Sequence, residues 1–127
     1  MSWLLYGAYG YTGQLILEQV LAEGGERPIL AGRREAPTRA LAERHGLEWR
    51  QFTLGEDRGR VERGLAGVEA VLHCAGPFSA TSGPMVEACL ARKVHYLDIT
   101  GELAVIEAVL QASPRAQAAG VALLPGV

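Results

Sequence analysis

Long hydrophobic runs are absent from this sequence. No apolar stretch approaches the roughly 20 residues that a membrane-spanning helix needs. A basic leader is missing as well, because Met1-Ser2-Trp3 passes almost directly into the first short apolar segment. We therefore expect neither a membrane span nor export, and we predict a cytoplasmic protein.

Cysteine, histidine and lysine are scarce, and their positions exclude several chemistries. Cys74 and Cys89 have neither metal-ligand nor redox spacing, and we expect both to be small buried hydrophobic residues. The three histidines are scattered, so no metal site is predicted. Lys93 is the one lysine, and the net charge of −2 offers no basic surface for nucleic acid.

What the sequence has instead is an alternation of short apolar runs with segments of helical periodicity. The apolar runs predict six strands, at residues 3–6, 28–31, 47–54, 69–74, 94–99 and 121–124. The third run carries polar residues and suits an edge strand. The segments between the strands predict helices at residues 14–23, 37–44, 58–65, 84–91 and 103–119.

Helix ends are predicted from the residues that usually occupy them. Pro37 is expected near the first position of the second helix, with Gly46 just past its end. Thr81 or Ser82 is expected to cap the helix that follows the fourth strand. These elements predict one α/β domain over residues 1–127, a Rossmann-type doubly wound parallel sheet of about six strands in the order 3-2-1-4-5-6.

A glycine triplet follows the first strand and opens the first helix. In Gly7-Ala8-Tyr9-Gly10-Tyr11-Thr12-Gly13, the first glycine allows a sharp turn and the second lets a pyrophosphate approach the backbone. The third lets the helix pack closely on the sheet, while its N-terminus attracts the anion. The Thr12 hydroxyl or amide is a candidate phosphate donor beside Tyr11, although capping by Thr12 and surface packing by Tyr11 would give both residues a structural role.

The end of the second strand is where such folds choose between NAD and NADP. An acidic residue about 20 residues past the glycine turn favours NAD, whereas this chain has Gly32-Arg33-Arg34 there. Arg33 can bind a 2′-phosphate through its planar fork of donors, and Arg34 can add a second charge or stack on adenine. NADP, as NADPH, is therefore predicted over NAD.

The loop after the fourth strand lies across the sheet's switch point from the glycine turn. Ala75 and Gly76 are small enough for close approach to a cofactor, and Pro77 and Phe78 are suited to form a wall for the nicotinamide ring. Gly-Pro is also a common loop breaker, and Phe78 also fits a purely structural place in the core.

Taken together, several segments resemble the saccharopine dehydrogenase-like NADP-binding domain, including its trans-acting enoyl reductase branch. They are residues 7–13 with Leu30-Ala-Gly-Arg-Arg34, His73-Cys-Ala-Gly-Pro-Phe78, and His95-Tyr-Leu-Asp-Ile-Thr-Gly-Glu102. The resemblance covers nearly the whole chain and implies an oxidoreductase. It implies NADP contacts at Gly7, Gly10, Tyr11, Thr12, Gly13 and Arg33, with Gly76, Pro77 and Phe78 near the nicotinamide.

The family normally continues into a second α/β domain that completes the substrate pocket. We therefore expect this chain to be the N-terminal part of a longer two-domain oxidoreductase that acts on a small molecule. Asp98 and Glu102 follow the fifth strand and are the candidates for orienting substrate or for acid–base chemistry. Helix capping by Thr100, with Glu102 in the first helical turn, is the structural alternative.

Two functions remain open from the sequence. The first is the cofactor domain of an enzyme that moves hydride between nicotinamide and a C=N or C=C bond, so that this chain alone binds cofactor without turnover. The second is a non-catalytic NADP-binding sensor or interaction module.

Apolar surface after the sixth strand is expected to pair with a second domain or with a second copy of the chain, as a homodimer.

Overall fold

The computed structural model describes residues 1–55 and 57–127, over which strands and helices alternate. The strands are β1 (Trp3–Tyr6), β2 (Ile29–Gly32), β3 (Trp49–Gln51), β4 (Ala70–His73), β5 (His95–Asp98) and β6 (Leu123–Leu124). The helices are α1 (Tyr11–Glu23), α2 (Glu35–His45), α3 (Arg58–Gly64), α4 (Phe78–Arg92), α5 (Leu103–Leu110) and α6 (Ser113–Ala119). None of the helices in these residues is both long and apolar enough to cross a bilayer.

The strands form one parallel sheet in the order β3-β2-β1-β4-β5-β6, which confirms the predicted doubly wound α/β fold. The third strand lies at an edge, as its polar residues predicted. β1 sits between β2 and β4, with Leu5 opposite Leu30 on one side and Leu72 on the other. All six strands run in one direction, so the loops that leave β1, β2 and β4 meet at the same edge of the sheet.

Each face of the sheet is covered by its own helices. On one face, Leu17 of α1 and Leu41 of α2 pack with Leu5 and Leu30 of the sheet. On the other face, residues of α3 to α6 pack with strand residues that include Leu4, Val71 and Tyr96. The burial of apolar surface on both faces, at about 25 cal/mol for each square ångström, is the main stabilising contribution to such a layered domain.

The first turn of α1 lies against the loop before it. Gly13 has no side chain, and a Cβ placed there would overlap the Gly7 carbonyl oxygen and lie 2.9 Å from Ala8 Cα. The neighbours are backbone atoms, which cannot swing aside as the end of a side chain can. The close contact of Gly13 is therefore with the turn that follows β1, whereas the sequence predicted close packing on the sheet itself.

Helix α4 begins earlier than predicted. It starts at Phe78, so Thr81 and Ser82 lie within the helix rather than at its cap, and Pro84 is an interior residue. Pro77 is the N-cap residue instead, with φ of −74°. The preference of proline for the first turn suggested a start at 84, but the earlier Gly76-Pro77 pair provides the break in the chain.

Two other helix predictions were wrong in their bounds. α2 begins at Glu35, so Pro37 is its third residue rather than its first. An amide anywhere in the first turn has no hydrogen-bond partner inside the helix, so the amide that proline lacks is not needed at the third position. Gly46 does end α2, in the left-handed conformation with φ of +65°. The predicted helix at 103–119 is two helices, because Pro114 at the second position of α6 starts a new helix after Leu110.

His73 is a fully buried polar residue in the larger core. Its ring lies beside those of Tyr6, Phe78 and Tyr96, at centroid distances of 5.7, 5.1 and 6.2 Å. Burial disfavours the charged imidazolium and lowers the pKa of His73 to about 4, although Asp98 opposes this shift. The imidazole of His73 is therefore neutral in the folded protein at ordinary pH.

Alanine at position 13 tests the close approach of α1. Gly13→Ala is expected to lower the free energy of unfolding by about 1–3 kcal/mol, because the backbone of residues 7 and 8 must move. Gly83→Ala is the matched control, since its Cβ meets no atom within 4 Å beyond its chain neighbours and its own helix backbone. The helix propensity gained and the strain of alanine before Pro84 oppose each other, so stability should change by less than about 0.5 kcal/mol. Urea unfolding measures both; equal effects of the two substitutions would contradict the packing role of Gly13.

The burial of His73 predicts a loss of stability in mild acid. Its pKa is about 4 in the folded chain against 6.5 for the free side chain, so the unfolded chain takes up the proton first as pH falls. Stability is full above pH 6.5 and should fall by about 2 kcal/mol between pH 8 and pH 5 from this residue. Urea unfolding across this range measures the fall, which His73→Asn should reduce and His45→Gln should leave in place. A wild-type slope in the asparagine variant would contradict this assignment.

Candidate functional site

A cleft of about 550 Å³ opens at the edge of the sheet where the strands end. It lies between the loops that leave β1, β2 and β3 and the loop that leaves β4, which is where ligands bind in open parallel sheets. Its lining consists of Tyr6, Gly7, Tyr9, Gly10, Arg33, Thr53, Leu54, Cys74, Ala75, Gly76, Pro77, Ala80 and Thr81.

Gly7 brings the two sides of the cleft together. Its φ of +85° is left-handed, and a Cβ there would lie 2.9 Å from the Ala75 amide nitrogen. Its own amide donates to the Ala31 carbonyl at 2.8 Å, which joins the turn to β2. Any side chain at this position would push the loop after β4 away from the glycine turn.

The N-terminus of α1 begins at the cleft, where Gly10 is part of the lining. Gly10 is the N-cap residue, with its carbonyl accepting from Gln14 and its own amide donating to Gly7. The amides of Tyr11, Thr12 and Gly13 stand in the first turn, where a helix offers no carbonyl partner. Converging amides at the positive end of a helix form an anion site, so this geometry suits a phosphate group.

The side chains of the turn are arranged differently from the expectation. Tyr11 is 83% exposed and Thr12 is exposed, and neither side chain lines the cleft, so only their backbone amides remain candidates for phosphate contact. Tyr9 lines the cleft and was missed. Gly32 leaves the space for its ring, since a Cβ at residue 32 would meet the Tyr9 ring at 2.6 Å.

Arg33 lines the cleft beyond the end of β2, whereas Arg34 does not. Arg34 is the exposed N-cap residue of α2, and its carbonyl accepts from Thr38 Oγ1 at 2.7 Å. Gln51 of β3 holds the chain at this point, because its Nε2 donates to the Arg33 carbonyl at 2.8 Å. Arg60 Nη2 in turn donates to Gln51 Oε1 at 2.6 Å, which adds a third guanidinium to this side of the molecule.

The loop after β4 supplies the opposite wall. Ala75 and Gly76, which were predicted there for their small size, line the cleft, and so does Pro77, which was predicted as part of a wall. Phe78 does not line it; it is half-buried, begins α4 and packs its ring on His73. Its place is therefore behind the loop. Thr81, one turn into α4, lines the cleft, whereas the sequence predicted it only as a helix cap.

The two candidates for catalysis lie outside the cleft lining. Asp98 is fully buried, and its carboxylate accepts from Tyr96 Oη at 2.5 Å, the Thr100 amide at 3.0 Å and the Gly126 amide at 2.9 Å. These bonds give Asp98 a structural task at the end of β5. Glu102 is exposed and is itself the N-cap residue of α5, with its amide donating to Thr100 Oγ1. Thr100 was wrongly expected in that cap position.

The cysteines and histidines add no metal site. Cys89 is fully buried, with its pKa raised to about 12 by burial; Cys74 is only half-buried, lines the cleft and has its pKa raised by burial to about 11. His73 and Cys74 belong to opposite faces of the sheet, so they form no nucleophile–base pair. Among residues 1–55 and 57–127, no group of three or more histidine, cysteine or acidic side chains is placed to hold a metal ion.

Solved structures of other proteins superpose on this chain and share its fold. Saccharopine dehydrogenase (L-Glu forming) from Saccharomyces cerevisiae superposes with a TM-score of 0.78 at 17% identity, over 99% of this chain and 27% of its own. Citrobacter sp. triphenylmethane reductase complexed with NADP(H) superposes with a TM-score of 0.73 at 19% identity, over 98% of this chain and 48% of its own. Both likenesses bear on the fold alone.

Two proteins with higher sequence identity point to the family more specifically than the superposed structures do. The trans-acting enoyl reductase of Mycobacterium leprae is 34% identical over 105 residues, which are 79% of this chain and 25% of that protein. The saccharopine dehydrogenase-like oxidoreductase of Homo sapiens is 28% identical over 116 residues, which are 78% of this chain and 27% of that protein. The chain thus spans about a quarter of the length of these relatives.

The family comparison covers almost the whole chain. The family model described as the saccharopine dehydrogenase NADP binding domain matches residues 3–124, from the start of β1 to the end of β6. The resemblance first seen in the glycine turn and the loop after β4 is confirmed: this chain belongs to the saccharopine dehydrogenase NADP-binding domain family.

Proposed function

We propose that the cleft binds NADPH for an oxidoreductase of which this chain is the cofactor domain. The observation that carries the proposal is the contact between the two cleft walls at Gly7, where a Cβ would strike the Ala75 amide. Beside it, Gly10, the N-cap residue of α1, lines the same cleft, and the unpaired amides of the first helical turn follow it in the chain. A backbone cradle that tolerates no side chain suits a pyrophosphate, which needs close approach of amide donors.

The two halves of the cofactor are assigned to the two sides of the cleft. The adenosine half is proposed to lie along the loops after β2 and β3, with the Arg33 guanidinium on the 2′-phosphate. The nicotinamide half is proposed to lie against Ala75, Gly76 and Pro77, with Phe78 supporting that loop from behind. Arg34 is assigned a weaker, long-range electrostatic role, since it is exposed and lies outside the lining.

The reaction proposed for the intact protein is hydride transfer with a small molecule that carries a C=N or C=C bond. NADPH supplies the hydride when bound, and the residues of this chain hold and orient it. The substrate pocket is proposed to be completed by a second α/β domain in a longer protein, so that residues 1–127 form its NADP-binding part. The resemblance to oxidoreductases in which the matched region is only about a quarter of the length supports this division.

Two titratable side chains that line the cleft, Tyr6 and Cys74, are poorly suited to proton transfer. Of the titratable side chains in its described lining, Tyr6 donates its hydroxyl to the Phe52 carbonyl at 2.7 Å, and burial raises its pKa. Burial also keeps the Cys74 thiol protonated. This is the observation that favours the second candidate, a non-catalytic NADP-binding module, for the chain on its own.

The role of the exposed apolar surface and the cellular compartment stay predictions. Leu103, Leu110 and Leu124 are exposed near the β6 side of the sheet, and this apolar surface suits either a further domain or a homodimer. A cytoplasmic location is retained as the proposed compartment.

Isothermal titration with NADPH and NADH tests the cofactor assignment. Wild-type protein should bind NADPH more tightly, and Arg33→Ala should weaken NADPH by about 10- to 100-fold while changing NADH little, because only NADPH carries the 2′-phosphate. Arg44→Ala is the charge-matched control, since Arg44 is exposed in the last turn of α2. Equal affinity of the wild type for both cofactors would reject the role of Arg33.

A further inference from the structure

One hydroxyl group connects three points behind the nicotinamide side of the cleft. Thr81 Oγ1 lies 2.8 Å from the Ala75 carbonyl oxygen and 3.1 Å from the Pro77 carbonyl oxygen. The same oxygen lies 2.9 Å from His73 Nε2. A side chain of α4 therefore joins both ends of the loop at 75–77 to the last residue of β4.

The hydrogen-bonding capacity of these groups fixes their protonation. A threonine hydroxyl has one proton, which here is directed at the two carbonyl oxygens, so its lone pairs are left to accept from His73 Nε2–H. Nδ1 then lacks a proton and faces the Ala75 amide, whose nitrogen lies 3.5 Å away. Both ring nitrogens of the buried neutral histidine thus face groups that touch the same loop.

The imidazole is a rigid point of attachment. The rings of Tyr6 from β1 and Tyr96 from β5 hold it on the strand side, and Phe78 holds it from α4. Because His73 cannot move without disturbing the core, the loop can shift only by breaking its contacts with Thr81. Thr81, Ala75 and Pro77 all line the cleft, so such a shift would change its wall directly.

We propose that Thr81, anchored on His73, is a positioning residue that sets the wall against which the nicotinamide half of NADPH binds. The inference rests on the proposed function, because it assumes that this wall faces the nicotinamide. The affinity for the nicotinamide half of the cofactor then depends on one hydroxyl inside helix α4. The adenosine half, at the far side of the cleft near Arg33, is independent of this hydroxyl.

Two ligands that differ only in the nicotinamide separate positioning from general stability. NADP⁺ and 2′-phospho-ADP-ribose share the adenosine, the 2′-phosphate, the pyrophosphate and the second ribose, and only NADP⁺ has the ring. Isothermal titration gives the ratio of their dissociation constants for each variant. A residue that merely supports the fold would weaken both ligands equally and leave this ratio unchanged.

Thr81→Val removes the hydroxyl at nearly constant volume. We expect it to weaken NADP⁺ about five- to tenfold relative to 2′-phospho-ADP-ribose, as the loss of a buried hydrogen bond implies. Thr81→Ser keeps the hydroxyl and should restore the wild-type ratio. Thr81→Ala removes the hydroxyl in a second way, and its ratio decides the question if the valine variant folds poorly by circular dichroism.

Thr38→Val is the matched control. Like Thr81, Thr38 is a helical threonine whose hydroxyl donates to a carbonyl four residues earlier, that of Arg34. It is buried, whereas Thr81 is half-buried, and it lies outside the cleft lining. It should lower stability without altering the ratio. An unchanged ratio in both Thr81→Val and Thr81→Ala would overturn the inference, as would a wild-type protein that binds the two ligands equally. Failure of the wild type to bind either ligand would instead reject the proposed function.

Discussion

The structure depends on the close approach of the turn after β1 to the loop after β4. The two central strands pair over their full length, so the chain segments leaving them start side by side. They can stay in contact beyond the sheet because Gly7 has no side chain where Ala75 lies. This one steric condition keeps the two loops close together where both line the cleft, and a side chain at residue 7 would force them apart.

Much of this could be predicted because the determinants are local. Parallel strands buried on both faces appear as short apolar runs, and glycine at the required spacing between a strand and a helix is typical of a phosphate-binding turn. The sheet order followed from crossover handedness and from the family pattern. Arg33 could be placed at the cleft for the same reason, since the residue that follows β2 lies at the sheet edge in any fold of this order.

What could not be predicted depends on contacts between residues distant in sequence or on competing local signals. Tyr9 enters the cleft because Gly32 of another strand leaves space for its ring. Pro84 predicted a helix start, although the break at Gly76-Pro77 had already allowed α4 to begin. Asp98 had the position of a catalytic acid, but the amides of Thr100 and Gly126 and the Tyr96 hydroxyl occupy its oxygens. No sequence pattern indicates that a carboxylate is already satisfied.

The buried titratable groups His73 and Asp98 are engaged in hydrogen bonds within the fold. An acid–base residue needs a lone pair or proton that is free to reach substrate, with a pKa near the working pH. In the described part of the chain, His73 uses its ring nitrogens on Thr81 and Ala75, and Asp98 accepts three hydrogen bonds. Through Thr81, His73 restrains the loop after β4 that lines the cleft, and a restrained wall lowers the entropic cost of binding. Rigidity at the cofactor and reactivity toward substrate are thus best divided between separate parts of a protein, and the family's greater length is consistent with that division.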